Sequence, residues 1–467
     1  MEYFRLLIGG ELVEGDRHSD VINPSTEQVI ASCPRASEEQ LDQAVDSALA
    51  AFKMWSEKSI DERAQALNAI ADALQSNVEG LAHLLTEEQG KPLSDATREV
   101  QITAAFFRFY AAKRLTVELL EDSEDRRVER HRVPLGVIGA IVPWNFPLAT
   151  MVFKIAPALI AGNTVVLKPA PTTPLTTLKF AQLTQDILPP GVLNVIADDN
   201  ELGHLLVGHR DVRKVSFTGS IPTGSKVMAT AAAQIKRITL ELGGNDAAIV
   251  LGDVIPEDIV PKLFHAAFNN NGQICAAIKR LFVHESIYDD VCKQLEQLAE
   301  SAIVGDGFDP NTQFGPLQNK RQYDLVKSLI DAARHDGNVI CGGAMEDQPG
   351  FFIRPTLVRD VSPGSRVVDE EQFGPVLPII KFSDVQEAIK QANASSNGLG
   401  GSIWSSDIAA ASALAVKMES GTVWVNKHTE ILPHIPFGGA KMSGLGCELG
   451  DDGLFEYTQS KIINVAL

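Results

Sequence analysis

Along the first quarter of the chain, apolar positions recur at three- and four-residue spacing, the period of one helix face. Ser37 to Ala51 reads as a helix capped by Ser37, with Glu38 and Glu39 at the positive end of its dipole. Ile60 to Asn77 and Val78 to Gln89 continue the pattern up to Gly90, a residue free to adopt the left-handed conformation that ends helices. Asp95 to Arg114 is a further helix. Ahead of these, Leu6 to Val13 predicts a short hairpin around Gly9-Gly10, and Asn23-Pro24-Ser25-Thr26 a turn. Glu118 to Arg132 breaks the helical period: it is densely charged, alternates loosely and predicts an exposed ribbon or arm.

From Val133 short apolar runs alternate with helical segments. Strands are expected at Val137–Val142, Thr164–Leu167, Val192–Ile196, Val212–Phe217 and Arg237–Leu240, with helices at Thr176–Ile187, Glu201–Val207 and Thr223–Ala233 between them. This is the rhythm of a doubly wound parallel sheet. A second set follows: strands at Ala247–Leu251, Arg280–Val283, Ile379–Phe382 and Thr422–Val425, with helices including Ile259–Asn269 and Tyr288–Ala299. The tail, Ser460 to Leu467, is an apolar strand that needs a partner, often another subunit.

Composition narrows the class. With 467 residues, two or three domains are expected. A net charge of -19 repels nucleic acid and anionic membranes, so neither is an expected partner. The five cysteines lie far apart with no metal-binding spacing, which argues against a disulfide framework or a structural zinc and for a reducing, cytoplasmic compartment. Met1 to Arg5 carries no signal-peptide pattern. The apolar stretch Thr150 to Leu167 contains Lys154, Pro157, Gly162 and Asn163, so it reads as a helix, a turn and a buried strand rather than a membrane span.

Five segments carry candidate chemistry. Cys275 sits in the Gly- and Asn-rich turn Asn269–Ala276, where a thiolate can attack a carbonyl; a buried inert cysteine is the alternative. Glu241 ends a strand before Gly243-Gly244, as a general base in an apolar setting or as a surface carboxylate before a turn. Asn145, in Pro143-Trp144-Asn145-Phe146-Pro147-Leu148, can donate to a developing oxyanion or belong to a structural turn. Phe217 to Gly224 puts Gly219 and Ser220 at a helix start suited to phosphate, without the commonest dinucleotide fingerprint. Lys168, at a strand end, can reach a ribose or phosphate, or be merely solvated. His428 and His434 lack a ligand partner at helical spacing, so no metal is expected and the two would line the site entrance.

Taken together and in this order, these segments resemble the aldehyde dehydrogenase family nearly end to end. Further matches are Glu371-Gln372-Phe373-Gly374-Pro375-Val376, Gly421 to Asn426, and Pro436-Phe437-Gly438-Gly439 with Ser443-Gly444. The resemblance implies oxidation of an aldehyde to its acid: Cys275 forms a thiohemiacetal and then a thioester, Asn145 and the Cys275 N–H hold the oxyanion, Glu241 activates water, and Lys154 lies near Glu241. It further implies a coenzyme site of Trp144, Lys168, Gly219, Ser220, Gly243, Glu371 and Phe373, with Lys168 at the adenosine ribose, Ser220 at the pyrophosphate, Glu371 at the nicotinamide ribose and Phe373 near the nicotinamide.

The implied fold is α/β: two doubly wound parallel α/β domains plus a small β oligomerisation ribbon. Residues 1–112, 135–243 and 443–457 would form the coenzyme-binding domain, 244–442 the catalytic domain, and 113–134 with 458–467 the oligomerisation element of a homodimer or homotetramer.

Two departures bear on specificity. Pro171 stands where many NAD-preferring members carry a ribose-binding Glu, so NAD is expected with NADP left open. Asp451 matches, one residue short, a second acidic position near the C-terminus. Glu241 favours hydrolysis over transfer to coenzyme A. Phe153 and Asn269 stand where semialdehyde-specific relatives place arginines; with Phe146, Thr150 and Ile274 they predict an uncharged, partly aromatic lining for a medium-chain aliphatic or aromatic aldehyde, or else Phe153 is core packing. A coenzyme A-acylating or semialdehyde-specific dehydrogenase of the same fold is the alternative.

Overall fold

The computed structural model describes residues 3–344 and 349–467; the first two positions, in the expected coenzyme-binding segment, and residues 345–348, within the expected catalytic segment, lie outside it. Two mixed sheets organise the chain. The first has strand order Glu11–Val13, Leu6–Ile8, Leu193–Val195, Thr164–Lys168, Val137–Ile141, Val212–Thr218, Arg237–Glu241, Gly444–Leu445. Its five inner strands are parallel and its edges antiparallel. The order reverses beside Val137–Ile141, and such a reversal opens a crevice at the strands' carboxyl ends.

The second sheet runs Asn338–Cys341, Thr356–Arg359, Val376–Phe382, Ile278–His284, Asp246–Val250, Gly400–Trp404, Thr422–Val425, parallel except for its first strand. Its strands are apolar on both faces. Leu281 and Val250 enter one core cluster while Phe282 and Ile249 enter the other, which is why these runs read as continuous rather than alternating.

The N-terminal helices form where the pattern puts them. Glu38–Glu57 starts in a capping box between Ser37 and Gln40, and runs past Ala51 because Trp55 stays on the buried face, donating to Leu159 O at 3.2 Å. Gly90 ends Val78–Gln89 with φ 92°. The antiparallel pair Arg17–Ile22 and Val29–Arg35 was not foreseen; the first strand buries only Val21 fully, too little to mark a period of two.

The charged arm is a ribbon of Glu118–Asp122 and Arg126–Pro134. The tail strand Thr458–Ala466 pairs along its whole length with Arg126–Pro134. One edge of the tail is thus paired with its own chain's arm, and the other edge is left open. Among the described residues, no helix is long and apolar enough to cross a membrane.

Candidate active site

Cys275 owes its setting to a contorted turn. After the helix Pro256–Phe268, residues Asn269–Gly272 make one 3-10 turn in which Asn270, Asn271 and Gly272 have φ of 50°, 55° and 75°. Asparagine tolerates this region because its amide can bond nearby backbone. Here Asn271 Nδ2 donates to Gly315 O at 2.9 Å, and Gln273 Nε2 to Asn270 O at 2.9 Å. A Cβ on Gly272 would lie 2.3 Å from Gly374 O, so only glycine fits. Cys275 is left half-buried at the start of the strand Ile278–His284. Burial pushes its thiol up to about 12; Lys279 opposes the rise, and Glu241, Asp246 and Glu371 add to it. The resting sulfur is therefore a thiol that needs a base or a bound cation to become a nucleophile.

Asn145 follows the strand Val137–Ile141 and is buried. Its Nδ2 donates to Gln273 O at 2.9 Å, two residues before Cys275. An amide nitrogen carries two hydrogens, so one stays available to an oxyanion. The Asn145 carbonyl accepts from Lys91 Nζ at 3.0 Å and Asn270 Nδ2 at 3.2 Å. Lys91 is paired at 2.5 Å with Glu99, both almost wholly buried. Glu99 in turn accepts the Leu148 and Ala149 N–H groups at 3.0 and 3.1 Å, at the start of the helix Pro147–Ile160. Nothing in the local sequence around Lys91 or Glu99 signals this contact; it joins residues about fifty positions apart.

Glu241 ends the strand Arg237–Glu241, buried, with Oε1 taking no hydrogen bond. Burial raises its pKa well above the carboxylate range, the Glu448 charge adds to this and Lys154 opposes it. Lys154 is buried, ion-paired with Glu448 and donates to Thr218 Oγ1 at 2.7 Å. The expectation for Asp451 is overturned: that residue is exposed and pairs with Lys113 at 2.6 Å. Glu448 is the buried acid. A two-way backbone bridge to Phe437 and a left-handed Leu449 turn it inward, and neither can be read from spacing.

The remaining candidates adjoin this group. Ser220 stands at the N-cap of the helix Ile221–Ala232 yet its side chain makes no cap bond, so Ile221 and Thr223, on either side of Pro222, offer the first-turn N–H groups to an anion. Gly219 N–H donates to Glu241 O at 3.0 Å. A Cβ on Gly243 would lie 2.1 Å from Glu371 Oε2, while Glu371 Oε1 accepts from Gly244 N–H and is ion-paired with Lys279 Nζ, each at 3.1 Å. Phe373, at φ 45°, meets the Trp144 ring edge-on with centroids 5.3 Å apart. Lys168 is buried at the end of Thr164–Lys168 rather than solvated. An open helix N-terminus, glycines at close approaches and carboxylates at strand ends fit a dinucleotide.

Phe146, Thr150 and Phe153 lie four and three residues apart, on one face of the entry to Pro147–Ile160. Thr150 Oγ1 donates to Phe146 O at 2.7 Å, the Phe146 ring lies under Lys91 Nζ at 3.8 Å, and Phe153 packs on Phe106 at 4.9 Å. Ile274 and Asn269 come from the nucleophile turn, which the Asn145–Gln273 bond joins to this face. The reading of His428 as an entrance residue is corrected. Its ring is buried, with Nδ1 2.9 Å from Ser402 Oγ and Nε2 3.0 Å from the carbonyl of Ala276, next to the nucleophile; His434 is exposed.

Comparison with known proteins agrees with this geometry. The aldehyde dehydrogenase family model matches residues 12–463. The phenylacetaldehyde dehydrogenase of Pseudomonas fluorescens is 40% identical, covering 99% of this chain and 96% of its own. An NAD+ complex of aldehyde dehydrogenase from Bacillus cereus superposes with a TM-score of 0.97 at 36% identity, over 100% of this chain and 97% of that one. Betaine aldehyde dehydrogenase from Staphylococcus aureus with NAD+ gives 0.95 at 35%, over 98% and 94%. The chain belongs to the aldehyde dehydrogenase family, enzymes that oxidise aldehydes to carboxylic acids with NAD(P).

Proposed function

We propose that this enzyme oxidises medium-chain aliphatic or aromatic aldehydes to free acids through a thioester on Cys275. The observation that carries the reading is the Asn145–Gln273 bond, which ties an amide donor to the turn of the half-buried thiol. Once its proton has passed to a base, Cys275 attacks the carbonyl carbon as the thiolate, and the second Asn145 hydrogen with the Cys275 N–H receives the oxyanion. Bound NAD(P) supplies the hydride acceptor. Glu241, whose carboxyl burial holds well above its ordinary value, acts in its ionised form, as the carboxylate that takes a proton from the water that cleaves the thioester, and the Lys154–Glu448 pair sets how readily that form is reached. Trp144 and Phe373 flank the nicotinamide end, Glu371 and Gly243 its ribose, Gly219 and Ser220 the pyrophosphate, and Lys168 the adenosine ribose.

The substrate class rests on Phe146, Phe153 and Ile274, with Thr150 and Asn269 as uncharged polar neighbours. Among the described residues, Lys91, the cation against the Phe146 ring, is committed to Glu99 and the Asn145 carbonyl rather than free to grip a distal carboxylate. A kinetic panel tests this: octanal and benzaldehyde should exceed succinic semialdehyde in kcat/KM, with free acid formed whether or not coenzyme A is present. Preference for the semialdehyde, or acyl-coenzyme A as product, overturns it.

The domain division 1–112, 135–243 and 443–457 against 244–442 follows the two sheets. The ribbon 113–134 with 458–467 leaves Ile462, Ile463 and Val465 exposed and is the proposed contact of a homodimer or homotetramer. Acidic charge and free cysteines suit the cytoplasm.

A further inference from the structure

We infer that Asp198, which the sequence reading did not single out, selects NAD over NADP by holding a carboxylate under the adenosine ribose; this rests on the proposed place of Lys168. Thr164–Lys168 and Leu193–Val195 are adjacent parallel strands in register at Leu167 and Val195, so Lys168 and Asp198 leave the sheet side by side at its carboxyl edge. Both are about 3% exposed, with Lys168 Nζ 2.5 Å from Asp198 Oδ1.

Three features make this pair a recognition element. First, an ammonium already matched by a buried carboxylate offers a 2′-phosphate no net charge, and the phosphate would have to approach that carboxylate within a few ångströms of poorly solvated space. Second, Asp198 Oδ1 is buried and its partner among the described groups is the Lys168 ammonium, 2.5 Å away. A carboxylate oxygen keeps a lone pair beyond the one that faces its ammonium, and this suits a ribose hydroxyl, which donates, and not an ionised phosphate, which does not. Third, the carboxylate is held in place. Oδ2 accepts the Leu202 N–H at 2.6 Å, and the following loop is tied down by Arg35 to Asp199 and Glu201, and by Arg17 to Glu201. Around the pair, a Cβ on Gly203 would meet only Lys168 Cε, at 3.9 Å, so that flank is open. Pro171 removes the carboxylate expected after Lys168-Pro169-Ala170, and Asp198 supplies one from the neighbouring strand instead.

The test is equilibrium binding of NADH and NADPH, followed by coenzyme fluorescence on the intact enzyme without aldehyde. The wild type should bind NADH at least about tenfold tighter than NADPH, the scale of a like-charge contact at short range. Asp198→Asn keeps the acceptor for Leu202 and should shift the affinity ratio toward NADPH by about tenfold or more; Asp198→Ser, a smaller cap, should do the same should the amide disturb the loop. Lys168→Met should weaken both coenzymes. A wild type that binds NADPH as tightly as NADH overturns the inference without any variant. An unchanged ratio in Asp198→Asn and Asp198→Ser, with Lys168→Met still weakened, overturns the role of Asp198 alone. Unchanged binding in Lys168→Met overturns the placement of Lys168 on which it rests.

Discussion

Lys91→Met tests whether a buried ion pair distant in sequence holds the oxyanion donor. The substitution fills a similar volume but leaves the Glu99 carboxylate, about 2% exposed, without its cation. Removing one partner of a buried pair costs about 3–5 kcal/mol. Glu99 keeps two backbone N–H donors at a helix N-terminus, an environment worth up to about 2 kcal/mol to an anion, so the low end of the range is expected. Adding Glu99→Gln removes the stranded charge while an amide oxygen still accepts those N–H groups. Melting temperatures at fixed scan rate should therefore rank wild type highest, the double variant next and Lys91→Met lowest. Turnover should behave differently. Both variants lack the bond to the Asn145 carbonyl, so both should lose kcat by about tenfold, equivalent to about 1.4 kcal/mol in the transition state, with coenzyme affinity little changed. A double variant that melts no higher than Lys91→Met refutes the charge argument, and one with wild-type kcat refutes the link to Asn145.

Three further outcomes are expected. With its thiol pushed up to about 12, Cys275 in the coenzyme-free enzyme should alkylate about tenfold faster per pH unit between pH 7 and 9, relative to Cys275→Ala as blank; a plateau in that window would contradict the assignment. Glu241→Gln should leave hydride transfer nearly intact and slow thioester hydrolysis, giving a burst of reduced coenzyme in stopped flow, whereas equal loss in both phases argues against the base. Because the Glu448 charge raises Glu241 and Lys154 lowers it, Glu448→Gln should move the acid limb of hydrolysis-limited kcat to lower pH; an unchanged or raised limb speaks against the coupling.

Much of this enzyme was written locally. Helix caps such as Ser37 and Gly90 and the βα rhythm after Val133 depend on neighbours a few residues away, so periodicity and turn chemistry expose them, whereas the segments around Asn145, Glu241 and Cys275 were legible only as a set, through the family they resemble. Charged residues whose partners lie far along the chain were not legible. Glu448 rather than Asp451 reaches Lys154 because a left-handed Leu449 and a bridge to Phe437 rotate one carboxylate inward and leave the other in water. Lys91 meets Asn145, His428 meets the Ala276 carbonyl and Asp198 meets Lys168 only once helices and strands have packed. A buried charge is stable only beside its complement, and where that complement lies is a property of the assembled sheets, not of the spacing along the chain.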